Sequence, residues 1–475
     1  VNFNRSISDW RFYIFLSLVV TAPLSKYPSI SVPLFNFPSF RIGLYQLLVI
    51  TFVILCLRPI YLAGIRFFAQ QHRLTFIALT LLAILAASSI AWSLYPARSA
   101  LLAGSIISLI ALALSSWWFV ALDLTNQRRK ILLHTVLYAG IFFGFIAIIQ
   151  LIVFTLTQQT FGILCAGCSA DIFGFPRVNG LAAEPLFFAN AMIPYVFAAV
   201  YAVISQPSKL AWSAVVLSTM AIGLTFSRGA YLAVAIALLV TFVTMYTKQY
   251  VSAKIALRIF GVIIISGIAS LGLLVAAATI RYNTTKNITY ETIDSIAEHL
   301  TNGVIDLPET VNTAEQTSNS QNTSTQEQFE SPGLIEASSQ ERLSAANLAI
   351  NAWQYNPFTV IFGVGVGNLG PFVVQNIEST APDNLTVYIY YILLLSELGI
   401  IGFVTFVIAF VGAIWRLVQR ASVISLIIAG GLFAFLIQFM FFGSYINVMY
   451  IWLWLGVSLG FTSVIKKPKH RTNKV

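Results

Sequence analysis

Arg228 stands in the segment Thr225-Phe226-Ser227-Arg228-Gly229, a tight turn between two long apolar runs. An arginine so placed is a permanent cation whose planar fork of N–H groups matches a phosphate. The bland alternative is an interface marker, its stem in apolar surroundings and its head in water. Arg177 lies in a second segment, Phe175-Pro176-Arg177-Val178-Asn179-Gly180-Leu181-Ala182-Ala183-Glu184-Pro185. There Pro185 suits the first turn of a helix, and Glu184 just before it complements the helix dipole. Capping accounts for Glu184 but not for Arg177. Two arginines on one face favour an anion clamp over two independent interface markers.

Asp383 and Asn384 open a later apolar run, in Ala381-Pro382-Asp383-Asn384-Leu385. Both are preferred helix N-caps, yet a carboxylate there also has the chemistry of a general base that takes a proton from a hydroxyl. Glu397 sits farther along the same run, before Leu398-Gly399-Ile400-Ile401-Gly402. A carboxylate inside a membrane span faces the bundle interior, in a structural or a functional role. The run Gly363-Val364-Gly365-Val366-Gly367-Asn368 has the look of a phosphate loop but lacks the strand before and the helix after that a dinucleotide fingerprint requires. It reads as a tight glycine-rich turn near the membrane surface. Cys165-Ala166-Gly167-Cys168 cannot complete a four-ligand zinc site and suits a small disulfide in an oxidising compartment, or no role at all. His72, His134, His299 and His470 form no ligand cluster along the chain, so no metal or other cofactor is expected.

The elements that must hold these groups are membrane helices. Of the 475 residues, 58% are hydrophobic and 9% charged, where a globular domain carries about 25% charge. A surface that poor in charge faces lipid over most of its area. A helix needs about 20 apolar residues to cross the ~30 Å hydrocarbon core. On that basis spans are expected near 12–24, 43–64, 74–94, 99–122, 131–156, 185–204, 210–226, 229–246 and 259–280, then near 385–415, 421–441 and 445–465. The first run reads as a span rather than a cleavable signal, having no small-residue cleavage site after it. The predicted architecture is all-α and polytopic, with about twelve transmembrane helices. Residues 1–280 form spans one to nine, 281–384 a long outer loop, 385–465 spans ten to twelve, and 466–475 a basic cytoplasmic tail.

The net charge of +10 raises the possibility of nucleic acid as a partner. The basic residues instead sit in short clusters between apolar runs, so no nucleic acid is expected. With the N-terminus in the cytoplasm, about nineteen of the 27 Lys and Arg fall on the cytoplasmic side, including Arg128-Arg129-Lys130 and Lys466-Lys467. That asymmetry is the positive-inside pattern, and it places both termini in the cytoplasm and Arg177 and Arg228 outside. Of the 17 acidic residues, only Asp9, Asp123, Asp171, Glu184 and Glu397 lie outside 281–384. Residues 310–331, with few apolar side chains to bury, are expected to be disordered. Ser344 to Trp353 has helical apolar spacing ending at Asn356-Pro357, which predicts a short amphipathic helix against the membrane face.

In order and placement these pieces resemble the O-antigen ligase and O-antigen polymerase family of bacterial envelope enzymes. The likeness runs from about 140 onward. It rests on Arg177 to Pro185, on Thr225 to Gly229, on the outer loop, on the glycine run 363–368, and on Asp383-Asn384 followed by Leu395-Ser396-Glu397-Leu398-Gly399-Ile400-Ile401-Gly402. The resemblance implies a metal-independent glycosyltransferase of the inner membrane, working on the periplasmic face in polysaccharide or lipopolysaccharide assembly. Its donor would be a glycan on undecaprenyl diphosphate. Its acceptor would be lipid A core for a ligase, or another lipid-linked glycan for a polymerase. By the same likeness Arg177 and Arg228 would hold the diphosphate, Asp383 or Glu184 would be the base, and Asn384 and Glu397 would support the acceptor or the fold. Family members often carry His-Asn where this chain has Asp383-Asn384, and Glu184-Pro185 looks closer to the polymerase branch. A major-facilitator carrier would instead show two similar halves around a central cytoplasmic loop. A lipid-linked glycan flippase would share the substrate without needing the large outer loop.

Overall fold

The computed structural model describes residues 2–24, 29–31, 41–159, 161–162, 171–172, 175–182, 184–282, 333–382, 385–443 and 449–463. Four expectations lie outside these residues: Asp383-Asn384, the Cys165 and Cys168 pair, the polar stretch 310–331, and the basic tail 466–475.

The described chain is all-α apart from two short antiparallel pairs, β1 (Ser29–Ser31) with β2 (Arg41–Gly43) and β3 (Asp171–Ile172) with β4 (Phe175–Pro176). The helices in chain order are α1 (Asn2–Thr21), α2 (Leu44–Pro59), α3 (Ile65–Gln71), α4 (Arg73–Ser88), α5 (Pro96–Trp118), α6 (Asn126–Thr157), α7 (Pro185–Ser205), α8 (Lys209–Leu224), α9 (Arg228–Thr247) and α10 (Ala253–Tyr282). They continue with α11 (Gly333–Trp353), α12 (Pro357–Phe362), α13 (Leu369–Asn376), α14 (Tyr390–Arg420), α15 (Val423–Gln438) and α16 (Met449–Ser463). Each expected apolar span overlaps a helix, but α1 starts ten residues before its apolar run and is not among those long and apolar enough to cross a membrane. Seven helical stretches among the described residues are long and apolar enough to cross a membrane, and α2, α8, α15 and α16 are shorter apolar helices. The chain is a multi-pass membrane protein.

Local chemistry sets the boundaries. Ser208 and Ser422 cap α8 and α15 by accepting from Ala211 N and Ser425 N, and Thr125 caps α6 by accepting from Arg128 N. Each satisfies an orphan amide of a first turn. The tenth span begins five residues later than its apolar run suggested. Leu385 to Ile389 are irregular, and the helix starts where Tyr390 N donates to Phe439 O at 2.9 Å. The amphipathic helix expected over 344–353 starts earlier, at Gly333.

Burial divides the bundle. The apolar core of α7 is 83% buried, so α7 is the central helix, whereas α10 at 22% is peripheral. Its Ile264, Ile265 and Ile268 project outward as large exposed apolar side chains, the pattern expected of a face solvated by lipid.

One joint organises the later half. Inside α14, Gly399 leaves the helical conformation at φ 65° and ψ −172°. The break would orphan carbonyls at membrane depth, where water cannot repair them. Here the glycine-rich run supplies the donors: Val364 N bonds Ser396 O at 2.9 Å and Gly365 N bonds Glu397 O at 3.0 Å. The backbones meet directly, so a methyl on Gly363 would overlap the Glu397 carbonyl and one on Gly399 the Ile361 carbonyl. Gly363 and Gly399 also hold positive φ, which favours glycine. Asn368 secures the other side of the run, accepting from Tyr95 N at 2.7 Å and donating to Ser99 Oγ at 2.6 Å. The run is therefore a tight turn, as its composition predicts, and it joins α14 to the start of α5.

Candidate active site

The segment carrying Arg177 is staked from α6. Gln150 Oε1 accepts from Gly180 N at 2.9 Å, and its Nε2 donates to Asn179 Oδ1 at 3.1 Å. Asn179 Nδ2 then donates to Ala182 O at 2.7 Å. Gly180 turns the chain at φ 54°, in a space where any Cβ would strike the Phe188 ring. These buried amides form a closed network, and such networks fix a single conformation when every member is satisfied.

From that platform Arg177 reaches the α8–α9 turn. Its Nε donates to Thr225 O at 2.8 Å and an Nη to Phe226 O at 3.1 Å. Phe226 holds φ 50°, a conformation rare outside glycine that persists only where its surroundings enforce it. Arg177 provides that enforcement. Arg228 follows two residues later as the first residue of α9, with Ser227 at the N-cap position but making no side-chain capping bond. Ser227 Oγ is buried with no hydrogen-bond partner among the described residues.

Burial pushes the Arg177 guanidinium from its ordinary value down to about 10. Tyr231 and Glu184 oppose the shift and Arg342 and Arg228 reinforce it, so all four lie within its electrostatic reach. At neutral pH Arg177 stays charged. Glu184 occupies the N-cap of α7 as its sequence suggests, with Pro185 at the first helical position, but its side chain makes no capping hydrogen bond. Its charge acts on Arg177.

Arg342 is the residue that sequence reasoning missed. It projects from α11, and its guanidinium lies over the Tyr388 ring at 4.8 Å. Its Nε is buried without a hydrogen-bond partner among the described residues. Tyr388 belongs to the segment that follows Asp383-Asn384, so Arg342 is tied to the chain neighbouring that pair. The available signal was a basic residue beside an expected membrane-lying helix on the outer side.

Aromatic contacts close the same end of the bundle. Phe442 meets Phe187 of α7 edge-on at 4.9 Å, and Phe441 fills the space above Gly229 of α9. Val387 packs its carbonyl on Gly443. The loop before α7, the α8–α9 turn, the segment before α14, the segment after α15 and α11 therefore meet at one place. Arg177, Glu184, Arg228 and Arg342 share it. Glu397 does not join them at the turn; it is buried at the Gly399 joint of α14. Among the described residues no group of three His, Cys, Asp or Glu has the arrangement to hold a metal ion.

Several arginines and a carboxylate are thus gathered at one set of helix ends, a charge pattern that can meet an anion. The chain carries an O-antigen ligase family domain: residues 213–407 match the model of that family. No curated protein matches the chain. The matched stretch runs from α8 into α14, narrower than the likeness read from the sequence. It takes in Arg228, Arg342, the glycine run, Asp383-Asn384 and Glu397, and leaves Arg177 and Glu184 just before it. A domain of this family implies glycan transfer at a membrane.

Proposed function

We propose that the protein is a glycosyltransferase of the O-antigen polymerase or ligase type, with polymerase slightly favoured. It moves a glycan from undecaprenyl diphosphate to a sugar hydroxyl on the periplasmic face of the bacterial inner membrane. In this reading about twelve helices span the bilayer, both termini are cytoplasmic, and the arginine-bearing ends face the periplasm, as the positive-inside pattern favours.

The observation that carries the proposal is the convergence of Arg177, Arg228 and Arg342 at one end. Cations gathered in a partly buried place have the charge and the donors to bind an anion. A diphosphate is such an anion, and its charge grows in the reaction. The acceptor oxygen bonds to the anomeric carbon while the bond from that carbon to the diphosphate oxygen breaks. The bond's electron pair leaves with undecaprenyl diphosphate, and the acceptor proton passes to a carboxylate, Glu184 or Asp383. Preorganised cations at the departing oxygen lower the barrier because their reorganisation is complete before the reaction starts.

Two of the N–H groups of Arg177 are engaged on backbone carbonyls, so its first contribution is to present the turn that bears Arg228. Arg228 and Arg342 are then the principal diphosphate ligands, with Ser227 Oγ beside them. Glu397 and the glycine run support the fold around the acceptor side, and Asn384 flanks the base. Purified protein given an undecaprenyl-diphosphate-linked repeat unit as sole substrate tests the proposal. A ladder of longer lipid-linked glycans marks a polymerase, and transfer only after lipid A core is added marks a ligase. Inactivity with both acceptors and the native glycan rejects transfer in favour of transport.

A further inference from the structure

At the opposite helix ends the bundle holds a cavity of about 860 Å³ between α6, α7, α15 and α16. Its rim carries Arg129 and Lys130 near the start of α6, and Arg420 at the end of α14. Both arginines converge on Phe461: Arg129 lies over its ring at 5.7 Å, and Arg420 donates to its carbonyl oxygen. Arg129 Nε is buried with no hydrogen-bond partner among the described residues. No Asp or Glu lines the cavity among those residues.

Deeper in, the chemistry changes. Leu137, Phe197, Ile428 and Phe435 form the wall. Leu137 lies two helical turns beyond Arg129 on α6, about 12 Å at 1.5 Å per residue. The cavity is thus cationic at the level of the helix ends and apolar at the level of the hydrocarbon. A soluble anion would match the rim and leave the apolar wall uncovered. A neutral lipid would match the wall but bring no negative charge to the cationic rim. Basic pockets between membrane helices on the cytoplasmic side suit anionic headgroups, and the charge asymmetry assigns this end to the cytoplasm.

We infer that the cavity holds one anionic glycerophospholipid, its phosphate against Arg129 and Arg420 and an acyl chain along the wall between α7 and α15. The site is separate from the arginine end at the far side of the bundle, and binding there needs no transferase activity.

Native mass spectrometry of the full-length protein in detergent, titrated with phosphatidylglycerol or phosphatidylcholine, tests it. One phosphatidylglycerol should remain bound at concentrations where phosphatidylcholine does not. Arg129→Gln with Arg420→Gln should weaken that binding at least tenfold. Ala198 of α7 lines the same wall; Ala198→Phe keeps both cations and fills that space, and it should expel the lipid as well. That variant decides the matter if the double substitution fails to fold, because Arg420 also braces Phe461. Equal retention of the two lipids overturns the proposal, as does phosphatidylglycerol binding that survives Ala198→Phe. Displacement by inorganic phosphate at comparable concentration also overturns it, since the site would then serve a free anion.

Discussion

Arg177 spends its planar fork on the carbonyls of Thr225 and Phe226, a use that a lysine side chain does not match. A lysine carries the charge but offers a point donor in place of two parallel N–H groups. Arg177→Lys is therefore expected to lower turnover at least tenfold while leaving donor binding reduced only a few-fold, measured as kcat against KM on lipid-linked glycan. Equal activity in the two proteins would show that charge alone matters at this position. Arg342 makes its cation–π contact with Tyr388, and its Nε has no hydrogen-bond partner among the described residues. Removing one preorganised donor from a transition-state oxyanion costs about 10²–10³ in rate, so Arg342→Ala should lose activity on that scale with normal membrane insertion. Loss below tenfold would reduce Arg342 to a packing residue. Arg177, Arg228 and Glu184 stood out in the sequence as candidates because charge between apolar runs is conspicuous. Arg342 did not, because a single cation beside a membrane-lying helix is a weak signal until folding brings α11 over Tyr388.

Between elements, His72 is a buried joint. It follows α3 and its Nε2 meets Ser463 Oγ of α16 at 2.6 Å, with Trp117 of α5 donating to the same hydroxyl at 2.8 Å. Burial, then the nearby Arg416 and Arg420, push its pKa down to about 4. A histidine whose folded pKa is depressed contributes stability above its unfolded pKa and loses it as pH falls toward the folded one. Stability in detergent should accordingly drop by roughly 2 kcal/mol between pH 7 and pH 5 at 1.36 kcal/mol per pKa unit. His72→Gln should flatten that part of the profile, and a variant as pH-sensitive as the wild type would assign the loss to other groups. The Gly399 joint teaches a related lesson. Its two halves, 363–368 and 396–402, both stand out in the sequence for their glycines. Their partnership does not, because backbone-to-backbone contact across some thirty residues leaves no periodic trace. The late start of α14 has the same origin: Leu385 to Ile389 are apolar enough for a helix but are held irregular by contacts with the segment after α15.

For the whole molecule, composition and apolar run length located the apolar helices but not the short ones between them, since a chain with 9% charge has few ways to cover itself other than lipid. What composition does not encode is how the helix ends are brought together, and that assembly makes the site. The acidic, hydroxyl-rich stretch around 310–331 has little apolar surface to contribute to it. Deleting residues 312–328 is expected to leave both membrane insertion and glycan product unchanged, scored by product length in cells; complete loss of product with the protein still in the membrane would refute this.

The central claim is that the arginine cluster drives departure of a lipid diphosphate. Release of undecaprenyl diphosphate from a lipid-linked glycan, followed side by side for purified wild type and Arg228→Ala, tests it most directly. The account predicts acceptor-dependent release by the wild type and none above background from the variant, with both proteins equally folded. Equal release from the two, or none from an active wild type, would contradict it.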